Sequence, residues 1–277
     1  MRRFHGVTAG CVLALIAGHA GNAAPANNAA IPDFSGMTTG WLAMGTDFKQ
    51  VPGTPPMVTN DDTHPHVGNG GGRQSSFRFA DLNNPNLTEF AKAGLKKTND
   101  EVLRGRAVFS REARCWPTGV PTYDLNQAQP VYFVQTPKEV VMMWQMDHQI
   151  RHVYLDVPHS KNPKPSWYGE SVGHYEGDTL VVDTIGLNDK TLIDNYRTPH
   201  TDRLHVVERF RLIDAGKTLE AMVTVEDLGA FNAAWSGIQR FRAVHLGPLP
   251  EKACAEDTQN FFNYDLEPIP QADKPDF

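Results

Sequence analysis

This 277-residue sequence predicts a mainly β protein, an antiparallel meander closing into a barrel, with a short helical segment before it. Three observations predict it. From residue 130 onward, eight stretches in succession are rich in β-branched and aromatic residues, the composition that suits a pleated, half-buried surface. Most of the joins between them are a few residues long and built of turn formers, so neighbouring strands must run antiparallel. A meander of that length removes its two exposed edges by closing on itself, which argues for a barrel over the runner-up, an open sandwich.

Taken in order, residues 1–26 read as a secretory signal peptide. Arg2 and Arg3 precede an apolar run from Val7 to Ala17, and Ala24-Pro25-Ala26 offers a small-residue cleavage site. The run is shorter than the ~20 residues a membrane-spanning helix needs. Residues 27–72 are rich in Pro, Gly, Asn and Thr, end in Gly68-Asn69-Gly70-Gly71-Gly72, and read as an irregular arm. Residues 73–129 form a mixed helical and loop lead-in. Its best helical pattern spans 87–111, where Gly94 and Gly105 favour two short helices over one. Strands follow at 131–135, 139–146, 149–157, 171–176, 179–187, 204–213, 218–227 and 236–245, within a barrel domain of 130–250. Long connections at 158–170 and 188–203 interrupt the meander, and polar, aromatic-bearing loops on a rigid scaffold are where function tends to sit. A Pro-rich acidic tail, 251–277, ends the chain.

Composition narrows the partners. Hydrophobic residues make up 40% of the chain, enough for a sizeable core, and the net charge of −6 argues against a nucleic-acid or anionic-membrane surface. The expected partner is a small-molecule substrate or ligand. The oligomeric state is left open by the sequence. Of three cysteines, Cys11 leaves with the signal; Cys115 and Cys254 remain as a pair in an oxidising compartment, periplasmic or secreted. A disulfide between them is expected, the alternative being two buried thiols.

Three segments carry a resemblance. CWPTGVP (115–121), SVGHYEGDTLVVDTIGLND (171–189) and PHTDRLHVVER (199–209) together resemble a large family of exported, mostly uncharacterised bacterial proteins. The resemblance covers about residues 110–260 and implies a calycin/lipocalin-like barrel behind a signal peptide. It implies no catalytic assignment. Tyr175 and Leu187 stand where the family usually has Trp and Phe.

Charge in the wrong row points to a site. Alternation sets Glu208 among Leu204, Val206, Phe210 and Leu212, Arg151 with Val153 and Leu155, and Asp183 with Val181 and Ile185. Buried charges must be paired or meet a ligand, so Arg151, Asp183 and Glu208 are expected to converge inside the barrel; an ion pair fixing strand register is the equal alternative. His200, a loop histidine leading into the strand of His205 and Glu208, suits acid–base work near neutral pH. Trp167, Tyr168, Tyr175, His174 and His159 are candidate substrate contacts, with core packing or solvation as the plain alternative.

Several chemistries lack their motif. No Gly-rich phosphate loop or dinucleotide fingerprint occurs, so no cofactor is expected. His64-Pro-His66 could bind a metal, but an H-x-H pair alone in the irregular arm is a weak signal; the histidines at 148, 152, 159 and 205 have no recognised ligand spacing, and no metal is expected. Gly169-Glu-Ser171-Val-Gly173 spells G-x-S-x-G, but a strand continues through Ser171 where a nucleophile elbow needs a strand-to-helix turn. The expectation is a cofactor-independent enzyme, a lyase acting by acid–base chemistry on a small plant-derived aromatic or carbohydrate-like compound. The alternative is a lipocalin-like carrier of an apolar ligand.

Overall fold

The computed structural model describes residues 31–35, 39–64, 78–104, 115–125, 129–145 and 149–247. The segment read as a signal peptide, His66, His148, Cys254 and the acidic tail lie outside the described residues. Strands run β1 (Thr39–Ala43), β2 (Lys49–Gln50), β3 (Val131–Gln135), β4 (Glu139–Trp144), β5 (Ile150–Leu155), β6 (Glu170–Glu176), β7 (Thr179–Ile185), β8 (His205–Ile213), β9 (Thr218–Glu226) and β10 (Trp235–His245), with helix α1 (Glu89–Leu103) between β2 and β3. Within the described residues no helix is long and apolar enough to cross a membrane.

The sheet closes. β1 and β3 to β10 follow one another around the ring, β1 pairs back onto β10 from Thr39↔His245 to Ala43↔Phe241, and β2 adds beside the far end of β10. Alternation is read directly in burial: on β5 Arg151, Val153 and Leu155 are buried between exposed neighbours, and on β8 Val206, Glu208 and Phe210 point inward. Aromatic rings fill one part of the interior, with Phe133 tilted against both Phe34 (5.6 Å) and Phe210 (5.8 Å). Burying each such ring contributes about 1.5–3 kcal/mol.

One pair departs from the predicted antiparallel meander. β5 and β6 are parallel, through Val153↔Ser171, Tyr154↔Val172 and Leu155↔Gly173. Parity requires such a departure. Strand direction reverses at every antiparallel pair, so a ring of nine strands returns to its starting direction only with at least one parallel seam. The connection 156–169 therefore has to run back along the barrel, about 20 Å for six residues of β5.

Two further expectations differ from the structure. The stretch read as an irregular arm contributes β1 and β2, and β1 is the strand that closes the ring. Thr-Gly-Trp-Leu-Ala carries only one β-branched and one aromatic residue and stands apart from the other predicted strands; the five-residue pairing with β10 supplies the order. In place of two short helices, a single helix spans Gly94. Thr88 caps it by accepting from the Ala91 N–H (3.3 Å). Gly94 stays helical because Pro199 lies against it, where a Cβ would come within 2.6 Å of the proline Cγ.

Candidate functional site

Inside the barrel Arg151 and Glu208 meet. Their side chains are 3% and 0% exposed, and the guanidinium grips the carboxylate with both nitrogens, Nη1 to Oε1 at 3.0 Å and Nη2 to Oε2 at 2.5 Å. The remaining donors are also used: Nε gives to Ser171 Oγ (3.0 Å), Nη2 to Thr184 Oγ1 (2.7 Å) and Nη1 to the Tyr123 oxygen (2.6 Å). The Tyr123 hydroxyl in turn donates to Glu208 Oε1 (2.8 Å). Burial opposes the Arg151 charge, but Glu208, Tyr123 and Asp124 outweigh it and hold the group protonated.

Asp124 adds a second carboxyl group. It is 1% exposed, and neither oxygen has a hydrogen-bond partner among the described residues. Burial and then the charge of the neighbouring Glu208 push its pKa well above the ordinary carboxylate range. Two carboxylates side by side can only repel; one proton between them converts the contact into a hydrogen bond. Burial likewise pushes the Tyr123 phenol well up, so it remains a donor. The barrel thus sets beside the Arg-bound Glu208 a second carboxyl group whose surroundings favour its protonated form.

The parallel seam opens toward this pair. A cleft of about 590 Å³ lies between β5 and the connection 156–169, with Arg151 and Ser171 at its floor and Trp167 and Tyr168 on its wall. Trp167 is set by packing on Trp116, centroids 5.5 Å apart. Behind the floor is a void of about 10 Å³ bounded by Tyr123, Gln149, Arg151 and Tyr168 among others. That is room for one water, and the buried Gln149 Nε2 lacks a partner among the described residues. Tyr168 and Arg151 line both spaces, and the Tyr168 hydroxyl binds Gln149 Oε1.

No family model, curated protein or solved structure matches this chain. The site is accordingly defined by its own geometry.

Of the three charges expected to converge, the structure brings together Arg151 and Glu208 and turns Asp183 away. Asp183 does share a face with Val181 and Ile185, but it is the outer face; Leu180, Val182 and Thr184 point inward, with Val182 opposite Glu208. His200 is also corrected. Its ring is buried, with Nδ1 bonded to the Thr201 carbonyl and Nε2 to Thr191 Oγ1, both at 2.7 Å, so both nitrogens serve the loop rather than Glu208.

The candidate substrate contacts divide. Trp167 and Tyr168 line the cleft. His174 pairs with Glu176 at the exposed end of β6 (3.0 Å), and the Tyr175 hydroxyl accepts from Gln135 Nε2 (2.7 Å) against the core. His159 stands behind the cleft wall in a chain of alternating imidazole and carboxylate groups on the outer face. Its Nδ1 meets Glu170 (3.0 Å), its Nε2 meets Asp183 Oδ1 (2.9 Å), and the same oxygen meets His205 Nε2 (3.0 Å). These contacts fasten the connection 156–169 to β6, β7 and β8. Among the described residues no group of three or more His, Cys, Asp or Glu side chains is arranged to hold a metal ion.

Ser171 shows why G-x-S-x-G misleads in this chain. It sits within β6, 2% exposed, with its hydroxyl committed to Arg151 and Thr184. Sequence reasoning missed Tyr123, Asp124, Gln149 and Thr184. Thr184 was open to detection as the polar member of the Leu180–Val182–Thr184 row. Tyr123 and Asp124 lie in the 3₁₀ turn Thr122–Leu125, where no strand periodicity operates. Cys115 adopts a left-handed backbone (φ 57°), and its expected partner Cys254 lies outside the described residues.

Proposed function

We propose that this is an exported, cofactor-independent enzyme of the lyase type. A small molecule binds in the cleft at the β5–β6 seam, and the Asp124–Glu208 pair supplies the acid–base chemistry. The observation that carries the reading is the second buried carboxyl group, which a purely structural Arg–Glu pair does not require and which costs free energy to ionise. In an elimination, the carboxylate takes a proton from carbon and the C–H electrons form the new double bond. The departing oxygen leaves with its bonding electrons and receives the proton of the carboxylic acid. Transfer of one proton between the two neighbours then restores the pair. Arg151, which lines both cleft and void and is bonded to Glu208, links the cleft to the carboxyl pair.

Incubation of the mature protein with mixed plant-derived phenolics and oligosaccharides, followed by untargeted mass spectrometry, tests this. Wild type converts a compound that Asp124→Asn and Arg151→Met leave intact. A compound transformed equally by all three proteins refutes the assignment of the site.

A second reading is favoured by the complete burial of both carboxyl groups, in which the cleft binds its ligand and releases it unchanged. Such a carrier uses the outer cleft, because the void beside Arg151 is too small for a ligand. Recovery of a bound compound without any conversion supports it.

A further inference from the structure

The cleft reading can be taken one step further, to the class of ligand, and this step rests on that reading. We propose that the cleft takes a neutral saccharide whose ring lies on His152 and Tyr154. These two side chains alternate with Arg151 and Val153 on β5 and face outward onto the cleft. Their rings lie within 15° of parallel with centroids 6.2 Å apart, and they are about half exposed, 51% and 49%. The His152 ring is fixed by its Nδ1 contact with Glu139 Oε1 (2.5 Å), so the platform exists before any ligand arrives. Trp167, immobilised on Trp116, stands in the same cleft as a further aromatic face.

A sugar ring is the ligand such a platform suits. Its axial C–H face packs on an aromatic surface, while its rim of hydroxyls needs many donors and acceptors at once. The connection 156–169 supplies those at its edge through Ser160, Asn162, Lys164 and Ser166. The side chains of Asn162 and Lys164 have no hydrogen-bond or ionic partner among the described residues, which leaves them available. Charge argues against an acidic ligand. Arg151 is neutralised by Glu208, Glu170 is engaged by His159 and Ser160, and one exposed lysine selects an anion only weakly at physiological salt.

The test is a titration of the full mature protein, by tryptophan fluorescence and calorimetry, with neutral gluco-, xylo-, manno- and galacto-oligosaccharides. A hydroxycinnamate serves as the aromatic acid, and each titration is run at 0.05 and 0.5 M NaCl. At least one oligosaccharide binds with little salt dependence, and Tyr154→Ala and Trp167→Ala each weaken it tenfold or more. Tyr154 is about half exposed and Trp167 partly buried against Trp116, so unchanged circular dichroism and thermal unfolding accompany each titration, with Phe90→Ala as a remote control. Binding of the hydroxycinnamate alone, weakened by salt and by Lys164→Ala, overturns the saccharide while leaving the cleft as the site. Binding of neither overturns both. Asp124→Asn separates this proposal from the catalytic one: it retains saccharide binding whether or not turnover exists.

Discussion

Asp124 makes the stability of the protein depend on pH in a definite direction. Its folded-state pKa is raised by burial and by Glu208, so the folded state holds a proton that the unfolded chain releases above about pH 3.9. The resulting stabilisation is complete below that value and is lost as pH rises through the folded pKa, at up to about 1.4 kcal/mol per pH unit. Asp124→Asn mimics the protonated acid and removes this slope; urea titrations from pH 4 to 8 that are parallel for both proteins contradict it. Glu208→Gln strands the Arg151 charge and is expected to cost about 3–5 kcal/mol, whereas Arg151→Met with Glu208→Leu approaches neutral. Equal losses in both variants count against a buried ion pair. Arg151 and Glu208 were legible because β5 and β8 bury one face and wet the other. Asp183 was misassigned because β7 buries apolar residues on both faces, Val181 outside and Val182 inside. Pairing with β8, which sets Val182 opposite Glu208, is the information that alternation lacks.

At the scale of elements, contact with a distant segment overrides local preference in two places. Gly94 lies inside α1, where alanine would ordinarily gain about 1 kcal/mol. The Pro199 contact reverses that sign: Gly94→Ala is expected to destabilise by about 1–3 kcal/mol in chemical denaturation, and a gain in stability contradicts the packing. The connection 156–169 is the second case. Gly169 at its end has φ +64° and leaves no room for a Cβ, which would fall 2.4 Å from the Ile185 carbonyl oxygen. Gly169→Ala therefore displaces the Tyr168 side of the cleft and weakens ligand binding while β8 and β9 remain intact. Amide spectra showing an unmoved Tyr168 in this variant refute the constraint. The sequence reveals this connection as long and polar, but its return along the barrel follows from ring closure, which no local pattern expresses.

Over the whole molecule, closure by β1 converts a row of strands into a barrel with a filled interior. β-branched and aromatic composition together with turn residues locates β3 to β10 to within a few residues. β1 was hidden because it stands alone in a Pro- and Gly-rich stretch, and Asp124 because it lies in the irregular turn Thr122–Leu125. Closure predicts that the β1 amides exchange with solvent as slowly as those of β10; rapid local exchange of residues 41–43 contradicts a closed ring. Burial beside Glu208 is expected to keep Asp124 a carboxylic acid inside that ring at neutral pH. Infrared difference spectroscopy of wild type against Asp124→Asn, at pH 7 in H₂O and D₂O, reads it directly. A protonated-carboxyl C=O band that shifts in D₂O and vanishes in the variant is the predicted result, and a wild-type spectrum containing only ionised carboxylates contradicts it.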